Sequence, residues 1–175
     1  FTSTTSNTWT PPAGVDTVRA LVIGGGGGGG AHVGGGGGGG GVIDSLAAVS
    51  PGVPQVVSVG EGGAGGYQKA SCANTEQGSA NSCANSDKSD AAQNGESTTF
   101  SSLTAFGGGR GGHWNYIAPN SGGSGGGGSH ATYFATGNQI TSGVASGTTV
   151  NGSVQGFAGG ASFGADNNGY TTAGG

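Results

Sequence analysis

Two uninterrupted glycine runs, residues 24–30 and 34–41, constrain this chain more than anything else in it. Glycine loses more backbone entropy on ordering than any other residue, so an isolated run in water behaves as a flexible linker. The surrounding residues argue against a linker. Ile23 precedes the first run, Ala31, His32 and Val33 separate the two, and Val42 and Ile43 follow the second. The alternative is that the runs adopt extended threefold helices of the polyproline II kind, rising about 3.1 Å per residue without internal hydrogen bonds. Every peptide group then needs a lateral partner. With no side chains in the way, such helices can approach on all sides, and backbone becomes the core. At that rise the two runs span about 22 Å and about 25 Å, so an antiparallel pair with its apex at Ala31, His32 and Val33 matches in length. Residues 107–112 and 122–128 would extend the pair into a small bundle.

Composition sharpens the problem. Glycine fills 46 of 175 positions and proline 5, together 51 or about 29%, a level at which low complexity or disorder is the first expectation. Disorder also draws on charge, and here 4 basic and 8 acidic residues leave a net charge of −4. Two Trp, six Phe, four Tyr and no Met are too few for an ordinary side-chain core. Arg19, Lys69, Lys88 and Arg110 form no basic patch, so nucleic acid is not expected as a partner. No stretch has the roughly 18 to 20 apolar residues that a membrane-spanning helix needs. The start at Phe1 reads as a processed product or a fragment.

Along the chain, Trp9-Thr10-Pro11-Pro12-Ala13-Gly14 carries a turn signal, and 15–23 (VDTVRALVI) reads as a strand with Val18, Ala20 and Val22 on one face. Residues 42–49 and 53–60 read as two further strands about the turn Ser50-Pro51-Gly52, paired as a hairpin. Residues 98–106 resume strand character before the next glycine cluster. The expected fold class is all-β with glycine-rich polyproline-II-like (polyglycine II) helices: a small β-sandwich on a glycine-helix bundle, with no α-helix. One domain is expected, with 1–66 strand-rich and bearing the two runs, 67–97 a polar excursion, and 98–175 a strand plus glycine- and aromatic-rich part.

Within the excursion, Cys72 and Cys83 would close a small ring worth about 3 kcal/mol if joined. A disulfide in an oxidising, extracellular setting is the preferred reading, and two free thiols are the alternative. Two cysteines with no nearby histidine cannot make a tetrahedral zinc site.

Little else carries chemistry. G-x-G-x-x-G matches arise by chance in so much glycine, and the following helix of a dinucleotide site and the Gly-Lys-Ser/Thr ending of a P-loop are missing. His32, His113 and His130 lack ligand spacing, and His32 reads as a turn residue. Asp87 and Asp90 read as a solvated loop face rather than a glycosidase pair. No G-x-S-x-G elbow appears in a strand-to-helix context. The chain is therefore read as non-enzymatic, with no cofactor and no metal. The remaining functional signal is aromatic. His113, Trp114, Tyr116, Tyr133 and Phe134 sit among small residues, where flat rings can stack on a glycan or anchor a protein contact. The competing reading is that Trp114 and the phenylalanines fill the core, as Trp9 is expected to do.

Residues 9–66, WTPPAGVDTVRALVIGGGGGGG followed by GGVIDSLAAVSPGVPQVVSVGEGGAGG, resemble the glycine-rich domain of tail fibres and receptor-binding proteins of tailed phages, and similar domains occur in bacterial surface proteins. STTFSSLTAFGGGRGG continues the resemblance; the cysteine loop and the C-terminal third share only composition. The resemblance implies a virion tail-fibre adhesin displayed at a fibre end and touching a bacterial surface protein or glycan. The cysteine pair departs from what a virion assembled in a reducing cytoplasm would carry. It keeps open a secreted, self-assembling extracellular filament, whose residues 1–10 would add as a strand to a neighbouring copy. An ice- or surface-binding role ranks below both, because regular Thr spacing is missing.

Overall fold

The computed structural model describes residues 1–4, 6–31, 34–67, 92–113, 118–129 and 155–160. Among them the fold is all-β, with six strands and no helix: β1 (Ser6–Trp9), β2 (Thr17–Ile23), β3 (Val42–Ala48), β4 (Gln55–Ser58), β5 (Thr98–Phe100) and β6 (Leu103–Ala105). One antiparallel sheet runs β1-β4-β5-β6 and the other pairs β2 with β3. Their facing sides share one core of Val22, Ile43, Ala47 and Val49 from the second sheet side with Val57, Phe100, Leu103 and Ala105 from the first. β2 alternates as its sequence implies: Val18, Ala20 and Val22 turn inward while Arg19, Leu21 and Ile23 are exposed. Trp9 packs on the core edge, its ring centroid 6.1 Å from that of Phe100 and tilted by 55°.

The turns follow their residues. Pro12-Ala13-Gly14-Val15 and Ser50-Pro51-Gly52-Val53 each close with an amide-to-carbonyl bond, and Gly14 (φ 82°) and Gly52 (φ 72°) take the left-handed third position. The hairpin expected between 42–49 and 53–60 is not present. β3 pairs with β2, while β4 lies in the other sheet between β1 and β5. The reason is that β2 and β3 are extensions of the two glycine runs, whose pairing sets theirs: the Ile23–Val42 register continues into the bond from Gly24 N to Gly41 O. Ser50-Pro51-Gly52 is thus a corner between sheets. Residues 98–106 also divide into two strands, β5 and β6, about Ser101, a non-glycine residue at φ 52° whose hydroxyl donates to the Ala48 carbonyl.

Beyond the sheets lie seven extended segments: I (24–30), II (34–41), III (60–66), IV (92–97), V (106–112), VI (122–128) and VII (155–160). Their hydrogen bonds recur every third residue. Gly24, Gly27 and Gly30 of segment I donate to Gly41, Gly38 and Gly35 of segment II, whose Gly35, Gly38 and Gly41 donate to Gly112, Gly109 and Phe106 of segment V. Gly25 and Gly28 donate to Glu96 and Gln93 of segment IV, and Gly26 and Gly29 accept from Gly63 and Gly66 of segment III. Segment I therefore bonds to four neighbours: II, III and IV and, through Gly108 and Gly111, V. A β-strand bonds to two at most, with period two. The pairings build two layers, III-I-II over IV-V-VI: IV lies in the angle between III and I, V in the angle between I and II, and VI beside II, with VII bonded to VI and to Val42 at the side.

The layers are close because side chains are missing where segments meet. A Cβ on Gly108 would press onto the carbonyl of Gly38, and one on Gly27 onto that of Gly109. Segment V is the centre: Gly107, Gly108, Gly109, Gly111 and Gly112 are all buried. Residues 92–97 join the array although the sequence placed them in the polar excursion. Gln93, Asn94 and Glu96 are exposed while the backbone stays in register, and Asn94 folds its side-chain oxygen onto the Arg110 amide.

Candidate functional site at the distal end of the array

Five segments are direct continuations of strands: β2 runs into I, II into β3, β4 into III, IV into β5 and β6 into V. This fixes which end of the array faces the sandwich. The registers then place Gly30, Gly34, Gly66, Gln93, Gly112, Gly127 and Gly160 at the opposite, distal end, through the bonds Gly30–Gly35, Gly66–Gly29, Gly28–Gln93, Gly112–Gly127 and Gly128–Gly160. Every stretch that leaves the array does so there. The chain departs after Tyr67 and returns at Ala92, departs after His113 and returns at Ala118, and departs after Ser129 to return at Gln155, at the sandwich end of the array.

Of the aromatic residues singled out from the sequence, His113 is described, half-buried at the end of segment V. Its carbonyl accepts a 2.9 Å bond from the hydroxyl of Ser129, which is fully buried. The bond ties the exit of segment V to the exit of segment VI. Trp114, Tyr116, Tyr133 and Phe134 lie outside the described residues, as do Cys72, Cys83, His32, Asp87 and Asp90. The stretches that carry Trp114 and Tyr116, and Tyr133 and Phe134, start from the two carbonyl- and hydroxyl-linked residues His113 and Ser129.

One polar cluster near this end is not legible from the aromatic pattern. The Arg110 amide donates to Asn94 Oδ1 at 2.9 Å, Asn120 Nδ2 donates to the same oxygen at 3.2 Å, and the Asn120 amide donates to the Arg110 carbonyl. Arg110 Nε is buried without a hydrogen-bond partner. The signal available in the sequence was the one arginine set inside a glycine cluster, Gly109-Arg110-Gly111. What this end offers chemically is a rigid platform of backbone bearing ring, amide and guanidinium groups. Among the described residues no three His, Cys, Asp or Glu side chains gather as a metal site, and no helix is long and apolar enough to cross a membrane.

The fold and its glycine array define an all-β protein whose interior is built largely of glycine backbone. The chain belongs to the glycine-rich domain family, whose match extends over residues 2–175. No curated protein and no solved structure matches it.

Proposed function

We propose that this chain is a non-enzymatic adhesive module of a phage tail fibre, in which segments I to VII are polyglycine-II-type helices that hold receptor-contacting stretches against a bacterial surface protein or glycan. The observation that carries the reading is the gathering of the exit points Tyr67, His113 and Ser129 at the end of the array away from the sandwich. A lattice of lateral hydrogen bonds behind these exits gives them fixed spacing, so the ordering cost of presenting loops is met before binding. Aromatic residues among small ones are suited to stacking on sugars or filling a shallow pocket. Binding of the isolated chain to whole bacterial cells tests the reading. The expected result is saturable binding that falls at least about tenfold in a Trp114→Ala, Tyr116→Ala double variant with an unchanged melting curve. Equal binding by that variant counts against it.

A second reading, a self-assembling secreted filament subunit, draws on β1. This strand is N-terminal, four residues long and at a sheet edge, pairing with β4 of its own chain over Ser6–Trp9. An element placed so could exchange between copies. Electron microscopy of the native assembly separates the two: a helical array of this chain alone would favour exchange.

A further inference from the structure

The two layers of the array do not have equivalent outer faces. Segments V and VI of the lower layer are buried along nearly their whole length. The upper layer is bare: Gly62 and Gly65 of segment III, Gly26 and Gly29 of segment I, and Gly36 and Gly39 of segment II are exposed at the three-residue period of the lattice. The amides of Gly26, Gly29, Gly36 and Gly39 donate to no group of the described chain, and the carbonyls of Gly37 and Gly40 accept from none. Segments I and II run directly into β2 and β3, and the pairing register carries on from Gly24–Gly41 to Ile23–Val42. There Ile23 pairs with Val42 and Arg19 with Leu46, and Leu21, Ile23, Val42 and Leu46 are all half or more exposed. The one charged pair on these strands, Arg19 with Asp44, is internally neutralised by two bonds of 2.8 and 2.7 Å.

We propose that this face, from Leu46 through Ile23 and Val42 to Gly29 and Gly36, is the docking surface for a second copy of the chain, paired face to face through the glycine layers. Three features select that occupant. The surface offers donors and acceptors together on a three-residue period, and the lower layer already shows what such a period binds: extended segments such as IV and V, with glycine where they face the layer above. The close approach excludes a partner with a Cβ at each contact, and this chain's own upper layer lacks one where it is exposed. The face carries no net charge, so two copies meet there without the repulsion that a chain of net charge −4 would otherwise impose. In size, about 22 Å of three glycine segments and about 13 Å of two strands, spaced about 4.8 Å, give roughly 440 Å² per copy. Two copies then cover roughly 900 Å², the size of a weak, reversible interface.

The surface is independent of the distal loops, and its test keeps the two apart. Sedimentation equilibrium of the full chain across micromolar concentrations should show a monomer–dimer equilibrium. Gly26→Leu and Gly39→Leu add a side chain whose Cβ lies no closer than 3.8 Å to the rest of the molecule. Each should weaken dimerisation at least tenfold while leaving the melting curve of the dilute protein unchanged. Leu46→Lys, on the sheet half of the face, should do the same should either glycine variant fold poorly. A wild-type chain that stays monomeric to roughly millimolar concentration overturns the proposal. So does dimerisation that is unaffected by all three substitutions. Loss of bacterial-cell binding in these variants, with a monomeric wild type, assigns the face to the receptor and overturns it equally.

Discussion

Gln155 holds the free edge of β6 by its carboxamide: Nε2 donates to the Thr104 carbonyl at 2.9 Å and Oε1 accepts from the Phe106 amide at 2.9 Å. It does from a side chain what a neighbouring strand would do from its backbone, and its own carbonyl accepts from Val42. With 6% of its surface exposed, it joins β6, the start of segment V and the start of β3 at the seam between sandwich and array. An open edge there would be a template for unwanted pairing.

Gln155→Ala should lower stability by about 2 to 3 kcal/mol, because two buried backbone groups lose their partners at once. Gln155→Glu should be at least as damaging at neutral pH, since the carboxylate keeps the acceptor and loses the donor to Thr104. Denaturant midpoints of the two variants against wild type check both statements. A stability loss under about 0.5 kcal/mol for Gln155→Ala would show that water replaces the side chain.

Substituting glycines should sort by their place in the lattice rather than by their place in a run. Gly108→Ala presses onto the Gly38 carbonyl in the buried layer and should cost about 3 kcal/mol or more. Gly26→Ala points into solvent and should lie within about 1 kcal/mol of wild type, with the gain coming from a less flexible unfolded chain. Thermal melts of the two variants give the comparison, and equal effects would sink the layered packing.

The exposed Arg19–Asp44 pair gives a small acid dependence. The hydrogen bond from Arg19, aided by its charge, holds the Asp44 carboxyl below its ordinary value, and Asp44 in turn raises Arg19. A folded-state value below the unfolded one means stability that is present above the unfolded value and lost as pH falls through the folded one. Melting temperatures from roughly pH 6 to pH 2 should therefore fall slightly less steeply for Asp44→Asn than for wild type, and added salt should narrow the gap.

Arg110→Met should leave stability unchanged or raise it by about 1 kcal/mol, since it keeps the aliphatic stem and removes the buried, unpaired Nε. A loss of cell binding in that variant with a wild-type melt would place the guanidinium at the receptor. Gly52→Ala should instead cost about 1 kcal/mol, because φ 72° is left-handed.

Much of the sandwich is legible in sequence because its determinants are local. The β-branched run of β2, the alternation across Val18, Ala20 and Val22, and the Pro51-Gly52 turn each depend on neighbours a few residues away. The partner of β3 does not. It is decided by which glycine segments lie side by side, and glycine has no pattern to announce its neighbour, so Ser50-Pro51-Gly52 read as a hairpin although it is a corner. Segment IV was hidden for the opposite reason. Its Gln93, Asn94 and Glu96 look like loop residues, yet a segment bonded at every third residue needs a small residue only where it faces the lattice, and Gly95 supplies that beside Gly25 and Gly108. At the distal end, the aromatic residues could be named from composition, but the His113–Ser129 bond could not, because it joins two segments that no sequence period links.

The three-residue bonding period also governs how a chain of this kind can change length. In segments I and V the donors to one neighbour recur every third residue, so adding or removing one residue there would move every later amide toward the wrong neighbour. Gains and losses there are tolerated in threes. At the distal exits after Tyr67, His113 and Ser129 no such reading frame applies, and insertions of any length leave the array in phase. The molecule thus divides into a part that evolves in fixed increments and a part whose length is free.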